Sequence, residues 1–342
     1  MLYFATFFDK NYLSRGIVLY NSINNVCIKF KLYVLCLDQE TKNYFDINTS
    51  FFEKIETVLL KELENYDVGL YNCKTNRSII EYYFTLSPCW PRYLLEKKSI
   101  NHICTLDADI CFYYSPIQLF EHLKQYSIII TPHKFSPELI QLEVHGIFNV
   151  SFQIFKNDEF GKACLEVWRS QCLNWCGDYL DIENNRFADQ KYLDTWPLDF
   201  PEKVKILDDN VSGLAPWNIN RFKLASIKNS FYIDREPLIY FHFQHFKLLN
   251  NFLATNWFFP YAVKPTDAIK KLYKEYWIRI GKINKILKLN QDYSKRVNLN
   301  GKKVIKMLDE KIGFIKISNW FLIFNTKYIP MIIQRIIRKI YA

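Results

Sequence analysis

Short apolar runs alternate with helix-patterned stretches over the first 131 residues, and that rhythm restricts the fold more than any single residue does. LYFATFF (2–8), LYVLCL (32–37), IETVLL (55–60), HICTLD (102–107) and SIIIT (127–131) are five to seven residues long. They are rich in β-branched and aromatic side chains, the mark of strands buried on both faces. Between them, 12–25, 40–46 and 77–96 carry helical spacing, the last with an expected interruption at Pro88 and Pro91. Strand, helix, strand, helix in this order predicts an α/β domain whose central sheet is mostly parallel and flanked by helices on both faces. A chain of 342 residues with 49% hydrophobic and 17% aromatic content can fill such a core, and only 9 glycines and 12 prolines exclude low complexity.

Charge divides the chain unevenly. Residues 264–342 hold 19 Lys and Arg against 5 Asp and Glu, whereas residues 1–263 hold 26 against 30. The expected organisation is a mildly acidic domain over 1–263 and a basic, amphipathic, mainly helical region over 264–342. In AIKKLYKEYWIRIGKINKILKL, Ile269, Leu272, Tyr273, Tyr276, Ile280, Ile283 and Leu287 recur at helical spacing with lysines between them. Such a stretch suits either an anionic membrane surface or a helix packing on the body. Nucleic acid is not an expected partner, because no recognition module accompanies the charge. Nine cysteines, an odd number with none after Cys176, predict reduced thiols in apolar surroundings. The start, MLYFATFFDKNY, has no basic leader, and no run of about 18 apolar residues occurs. The expected location is the cytoplasm, or the inner face of the cytoplasmic membrane as a peripheral protein.

The fourth apolar run ends in TLDADICFY (105–113). Two carboxylates at i and i+2 after a strand can converge on a hard divalent cation, Mg²⁺ or Mn²⁺. Such an ion can bridge the oxygens of a diphosphate. In open α/β sheets ligands lie beyond the carboxyl ends of strands. Thr6 and Asp9 close the first strand as Asp107 and Asp109 close the fourth. Taken alone, Asp-Ala-Asp is equally well a polar turn or a helix cap.

FATFFDKNYLSRG (4–16), TLDADICFY, HGIFNVSFQIFKND (145–158), GKACLEVWRSQCLNWC (161–176), RFADQKYLDTWP (186–197) and GLAPWNI (213–219) together resemble glycosyltransferases of the GT-A type. The nearest likeness is to bacterial sugar transferases of surface-polysaccharide assembly, lipopolysaccharide or capsule, and it covers residues 1–245. It extends to the retaining, glycogenin-like galactosyl- and glucosyltransferases. The resemblance implies a GT-A-like fold, a nucleotide-sugar donor of the UDP-hexose or UDP-N-acetylhexosamine kind, and Mn²⁺ or Mg²⁺. It implies Thr6 and Asp9 at the nucleobase, Asp107 at the ribose and the metal, and Asp109 on the metal. Asn149 and the pair Asp189-Gln190 match positions that meet the donor sugar. His242 in HFQHFK matches a metal-ligating histidine, with Lys247 at the diphosphate, although His245 competes with it. Asn149-Val150-Ser151 departs from the family's Asn-x-Gly. A basic residue on the helix after residue 77 meets phosphates in related enzymes, which makes Arg77 a candidate. A surface pair with Glu81, one turn on, is its plainer reading.

The expected reaction is transfer to a surface glycan, lipid-linked or membrane-anchored, with retention of configuration. An inverting enzyme would need a carboxylate base, for which Glu143 or Asp189 could serve. Two alternatives stay open: a non-catalytic membrane-associated scaffold on a degenerate transferase fold, and a magnesium-dependent phosphatase. Trp168, Trp175 and Trp196 read as core. Trp217, in a loop, could stack on an acceptor sugar.

Overall fold

The computed structural model describes residues 1–228, 230–250, 253–255, 260–287, 312–317 and 320–325; for 249–250, 253–255, 312–317 and 320–325 it gives the backbone alone. Strands β1 (Leu2–Phe8), β2 (Phe30–Cys36), β3 (Ile55–Leu59) and β4 (His102–Leu106) are joined through helices α1 (Leu13–Val26), α2 (Gln39–Ile47), α3 (Leu60–Tyr66), α4 (Val68–Cys73) and α5 (Ile79–Lys97). Then follow β5 (Ile110–Phe112), α6 (Ile117–Phe120), β6 (Ile128–Pro132), β7 (Phe148–Lys156), α7 (Glu159–Asn174), α8 (Trp196–Asp199) and β8 (Val204–Ile206). Beyond these lie β9 (Leu224–Ile227), β10 (Ser230–Ile233), β11 (Glu236–Pro237), β12 (Tyr240–His242), β13 (Lys247–Asn250), β14 (Leu253–Thr255), α9 (Asp267–Ile286), β15 (Ile312–Ile317) and β16 (Trp320–Asn325).

Seven strands form the central sheet in the order β3-β2-β1-β4-β7-β6-β8. All run parallel except β7, which is antiparallel to both β4 and β6. The expected α/β class with a mostly parallel, helix-flanked sheet is what the chain adopts. Side chains alternate across β1 and sort the two layers. Phe4 and Phe8 meet Phe30, Phe112, Phe120 and Phe45 on one face. Ala5 and Tyr33 join Leu86, Trp90, Leu94, Trp168 and Trp196 in the core on the other. Gly16 allows α1 to lie close to the sheet, since a Cβ there would fall 2.2 Å from the Phe8 ring.

Three local expectations are corrected. Helix α5 is not interrupted: it continues through Pro88 and Pro91, both buried on the side that packs against α7 and β4. Packing of that buried face outweighs the backbone bonds two prolines remove. The helix also begins at Ile79, not 77, because Ser78 and Glu81 form a reciprocal capping box. Trp217 is buried, 4% exposed, with its ring edge-on to Tyr261, so it is not offered to a sugar.

By internal contacts the chain forms two compact units, Met1–Leu214 with Pro237–His242, and Ala215–Glu236 with Phe243–Ala342. The charge boundary at residue 264 therefore falls inside the second unit. There α9 realises the expected helix, and Ile269, Leu272, Tyr273, Tyr276 and Ile280 are buried on it. Phe243 stacks on Tyr276 at 3.7 Å, and Phe246 meets the same ring edge-on at 5.3 Å. The second unit also contains strands: β13 and β14, with β15 and β16 from the basic region, make a four-stranded antiparallel sheet in the order β13-β14-β16-β15. Residues 288–311 and 326–342 of the basic region lie outside the described residues. All nine cysteines are free and buried. Among the described residues no helix is long and apolar enough to cross a membrane.

Candidate metal centre

The site grows from the end of β4. Past Leu106 the Asp107 N–H still bonds to β7, donating to the Ser151 carbonyl at 3.1 Å. The Ile110 N–H then donates back to the Asp107 carbonyl at 3.2 Å, a turn that sets Asp109 at the head of β5. Strand β12 pairs antiparallel with β5, His242 opposite Ile110, and the His242 N–H donates to the Leu214 carbonyl at 2.8 Å. This register brings the imidazole to the acids. His242 Nε2 lies 3.0 Å from Asp109 Oδ1 and 3.5 Å from Asp107 Oδ2. One ligand atom from each of the three side chains lies within 4.8 Å of the other two. Two hard oxygens and a borderline nitrogen form a donor set suited to Mn²⁺ and acceptable to Mg²⁺.

The electrostatics follow from crowding. Burial pushes the Asp109 carboxyl up, but His242, close enough to bond it, and then the Arg15 guanidinium outweigh burial and hold it below the usual range. Burial pulls His242 down, and the two carboxylates more than reverse that, so the imidazole titrates above its ordinary value. For Asp107, burial and the Asp109 carboxylate prevail over His242 and raise it. With 41% of that side chain exposed, water tempers the rise.

Beside Asp107 a small recess is lined by Ala5, Phe7, Ser87, Trp90, Thr105, Leu106, Val150 and Gln153. Thr6 is not among these residues. It points to the opposite sheet face, 1% exposed, and its hydroxyl has no hydrogen-bond partner among the described residues. Asp9 closes a local turn, accepting from the Asn11 N–H at 2.9 Å and from Asn11 Nδ2 at 2.8 Å. Arg77 is committed elsewhere. It lies outside α5, so it is not one helical turn from Glu81, and its Nη2 donates to the Cys172 and Leu173 carbonyls at 3.3 and 3.1 Å, capping the end of α7.

Asn149 is also engaged. Its Nδ2 donates to the Thr131 and Pro132 carbonyls at 3.2 and 3.4 Å, and its Oδ1 accepts from the Ser151 N–H at 3.1 Å. Ser151, the departure from Asn-x-Gly, adds a hydroxyl bond to the same oxygen. Gln190 Nε2 donates to the His145 carbonyl at 3.0 Å. Asp189 is 2% exposed, and its Oδ2 has no hydrogen-bond partner among the described residues. Burial, with the Asp107 charge adding to it against a bond from Ser87, pushes its carboxyl up to about 7. His245 and Lys247 belong to the second unit. His245 has left-handed backbone at φ 59°, and Lys247 is exposed at the head of β13.

Two residues at the site were not singled out from the sequence. Ser87 lines the recess and bonds Asp189 from α5. Arg15, quoted inside the first resembling stretch, carries the one positive charge of LSRGIVLY, an otherwise apolar run. A lone basic residue in such an apolar run was the available signal, and the structure buries it to 7% exposure.

No family model matches the chain. It is 28% identical over 280 residues to the uncharacterized protein YfnD of Bacillus subtilis (strain 168), covering 81% of this chain and 88% of that protein. YfnF of the same organism is 25% identical over 256 residues, covering 72% and 82%. Among solved structures, galactosyltransferase LgtC, bound to donor and acceptor sugar analogs, is similar at 13% identity and TM-score 0.49, covering 70% of this chain and 86% of that one. Glycosyltransferase GlyE of Streptococcus pneumoniae TIGR4 is similar at 15% identity and TM-score 0.47, covering 88% and 65%. Mouse xyloside xylosyltransferase 1 follows at 15% identity and TM-score 0.42, covering 60% and 85%. The chain is thus similar to two Bacillus subtilis proteins over most of its length and, more distantly, to three glycosyltransferases of solved structure.

Proposed function

We propose that the chain is a metal-dependent glycosyltransferase that moves a hexosyl-type sugar from a UDP-sugar to a surface-glycan acceptor, with retention of configuration. The observation that carries this reading is the meeting of two carboxylates and an imidazole at the carboxyl end of β4. That is where a mostly parallel sheet offers a ligand its crevice. Asp107, Asp109 and His242 would hold Mn²⁺ or Mg²⁺, which when bound neutralises charge on a departing diphosphate. Residues of β1, β4, α5 and β7 that line the small recess beside Asp107 would form one partly apolar edge of the donor's seat. Asn149, with both ends of its amide engaged, fixes the β6–β7 backbone beside Asp107. Sugar recognition then falls to Asp189 and to the carbonyl end of Gln190. In transfer, the bond from the anomeric carbon to the phosphate oxygen breaks with its electron pair on phosphate. The acceptor hydroxyl forms the new bond, and its proton passes to that phosphate, so no dedicated base is required.

The division into a catalytic region over 1–263 and a basic region over 264–342 belongs to this reading. So does a lipid-linked acceptor at an anionic membrane. The aromatic face of α9 is taken up by Phe243 and Phe246, so attraction through α9 is electrostatic, by its lysines. The test is thermal unfolding with UDP, GDP or CMP, each with and without Mn²⁺. UDP and Mn²⁺ together are expected to raise the melting temperature, and Asp109→Ala is expected to abolish the rise. No shift with any nucleotide would refute the reading.

A further inference from the structure

Helix α1 lies along β5, and the register between them is fixed at one point. Ser22 Oγ accepts the Phe112 N–H at 3.0 Å. Arg15 precedes Ser22 by seven residues, two helical turns, and so shares its face. Along the helix that is about 10 Å, and from Phe112 back to Asp109 is about the same length of strand. Gly16 meets Phe8 and Phe112 meets Phe4, so α1 and β5 run the same way past β1 and Arg15 is level with Asp109. The charge relation agrees, since the guanidinium is among the groups that lower the Asp109 carboxyl. Tyr12, in the turn before α1, places its ring 4.5 Å from the guanidinium carbon, and Gly16 lets the helix sit close enough to the sheet for this.

A buried arginine level with Asp109 could be its counter-ion and no more. The charge balance argues for a further role. Two carboxylates already neutralise a divalent ion, and a coordinating imidazole is neutral. The loaded group would carry no net attraction for an anion. Arg15 supplies one fixed positive charge on a planar, multi-donor head suited to phosphate oxygens.

We propose that Arg15 is a diphosphate-binding residue, which turns the loaded metal centre from a neutral into a cationic seat for the donor's leaving group. This rests on the transferase reading above and assigns a residue to its leaving-group side.

The test uses the whole chain with Mn²⁺ and inorganic pyrophosphate as probes. Mn²⁺ binding is read by electron paramagnetic resonance, and pyrophosphate binding in saturating Mn²⁺ by calorimetry. Arg15→Gln is expected to bind Mn²⁺ as well as wild type or more tightly, because a repelling charge is gone. Its pyrophosphate affinity is expected to fall by about 10- to 100-fold, and Arg15→Lys to recover part of that loss. Should Arg15→Gln lack a cooperative melting transition, Arg15→Met keeps the stem packed and takes its place. Unchanged pyrophosphate affinity, or a loss only in step with Mn²⁺ affinity, would overturn the assignment while leaving the transferase reading intact. Wild-type protein that binds no pyrophosphate in Mn²⁺ would overturn both.

Discussion

Asp189 holds its proton at a pH where most aspartates have lost it. A carboxyl that titrates near 7 in the fold and near 4 in the unfolded chain lets the folded protein bind the extra proton between those values. Stability should therefore fall as pH rises from about 4 to 7. Asp189→Asn stays neutral and keeps the side chain's shape, so it should remove that slope. Its gain over wild type should reach at most about 4 kcal/mol by pH 8 and vanish near pH 4. Urea denaturation across this range checks it, and parallel pH curves for the two proteins would mean that Asp189 titrates normally. The same substitution leaves Asp107, Asp109 and His242 in place, so Mn²⁺ binding should persist while transfer, on the proposed function, declines.

Among the elements, α4 and α7 are tied through one buried fork. Asp67 accepts from Arg169 Nε and Nη2, both at 2.6 Å, and its Oδ1 also takes the Leu70 N–H at 3.1 Å as the cap of α4. Asp67→Ala leaves Arg169 with Glu166 as its remaining carboxylate partner and uncaps the helix, and should cost about 2–4 kcal/mol, short of the full range for stranding a buried charge. A loss under about 1 kcal/mol on urea denaturation would place the pair with exposed ones.

How much of this was legible differs by element. Strand runs could be read because both faces of β1, β2 and β4 are buried, which forces apolar residues throughout. The start of α5 is legible too, in the capping box of Ser78-Ile-Ile-Glu81, although helical periodicity alone extends back to residue 77. The antiparallel course of β7 was not legible, since direction is a property of the pair and not of the strand. His242 shows the same limit. YFHFQHF offers two histidines three residues apart, and pairing with β5 selects His242. That partner lies more than a hundred residues away, so no local spacing encodes it.

At the scale of the molecule, a basic region accompanies an acidic body, and the burial of the apolar stripe of α9 changes what the basic region can do. Its lysines can attract an anionic surface but the stripe cannot insert. Charge reversal at Lys274, Lys282 and Lys285 is expected to lower binding to vesicles rich in anionic lipid by about 10-fold or more, and wild-type binding should fall away in high salt. Salt-insensitive binding in vesicle sedimentation would instead indicate insertion by another segment.

The first unit is not continuous: the chain leaves it after Leu214, re-enters at Pro237 and departs again after His242. The cluster of Asp107, Asp109 and His242 thus has two genetic addresses, one at 107–109 and one at 242, on either side of a detour. Recombination that carried off the first 214 residues would transplant both acids and leave the histidine behind. Only a transfer that spans 1–242 carries the three side chains together.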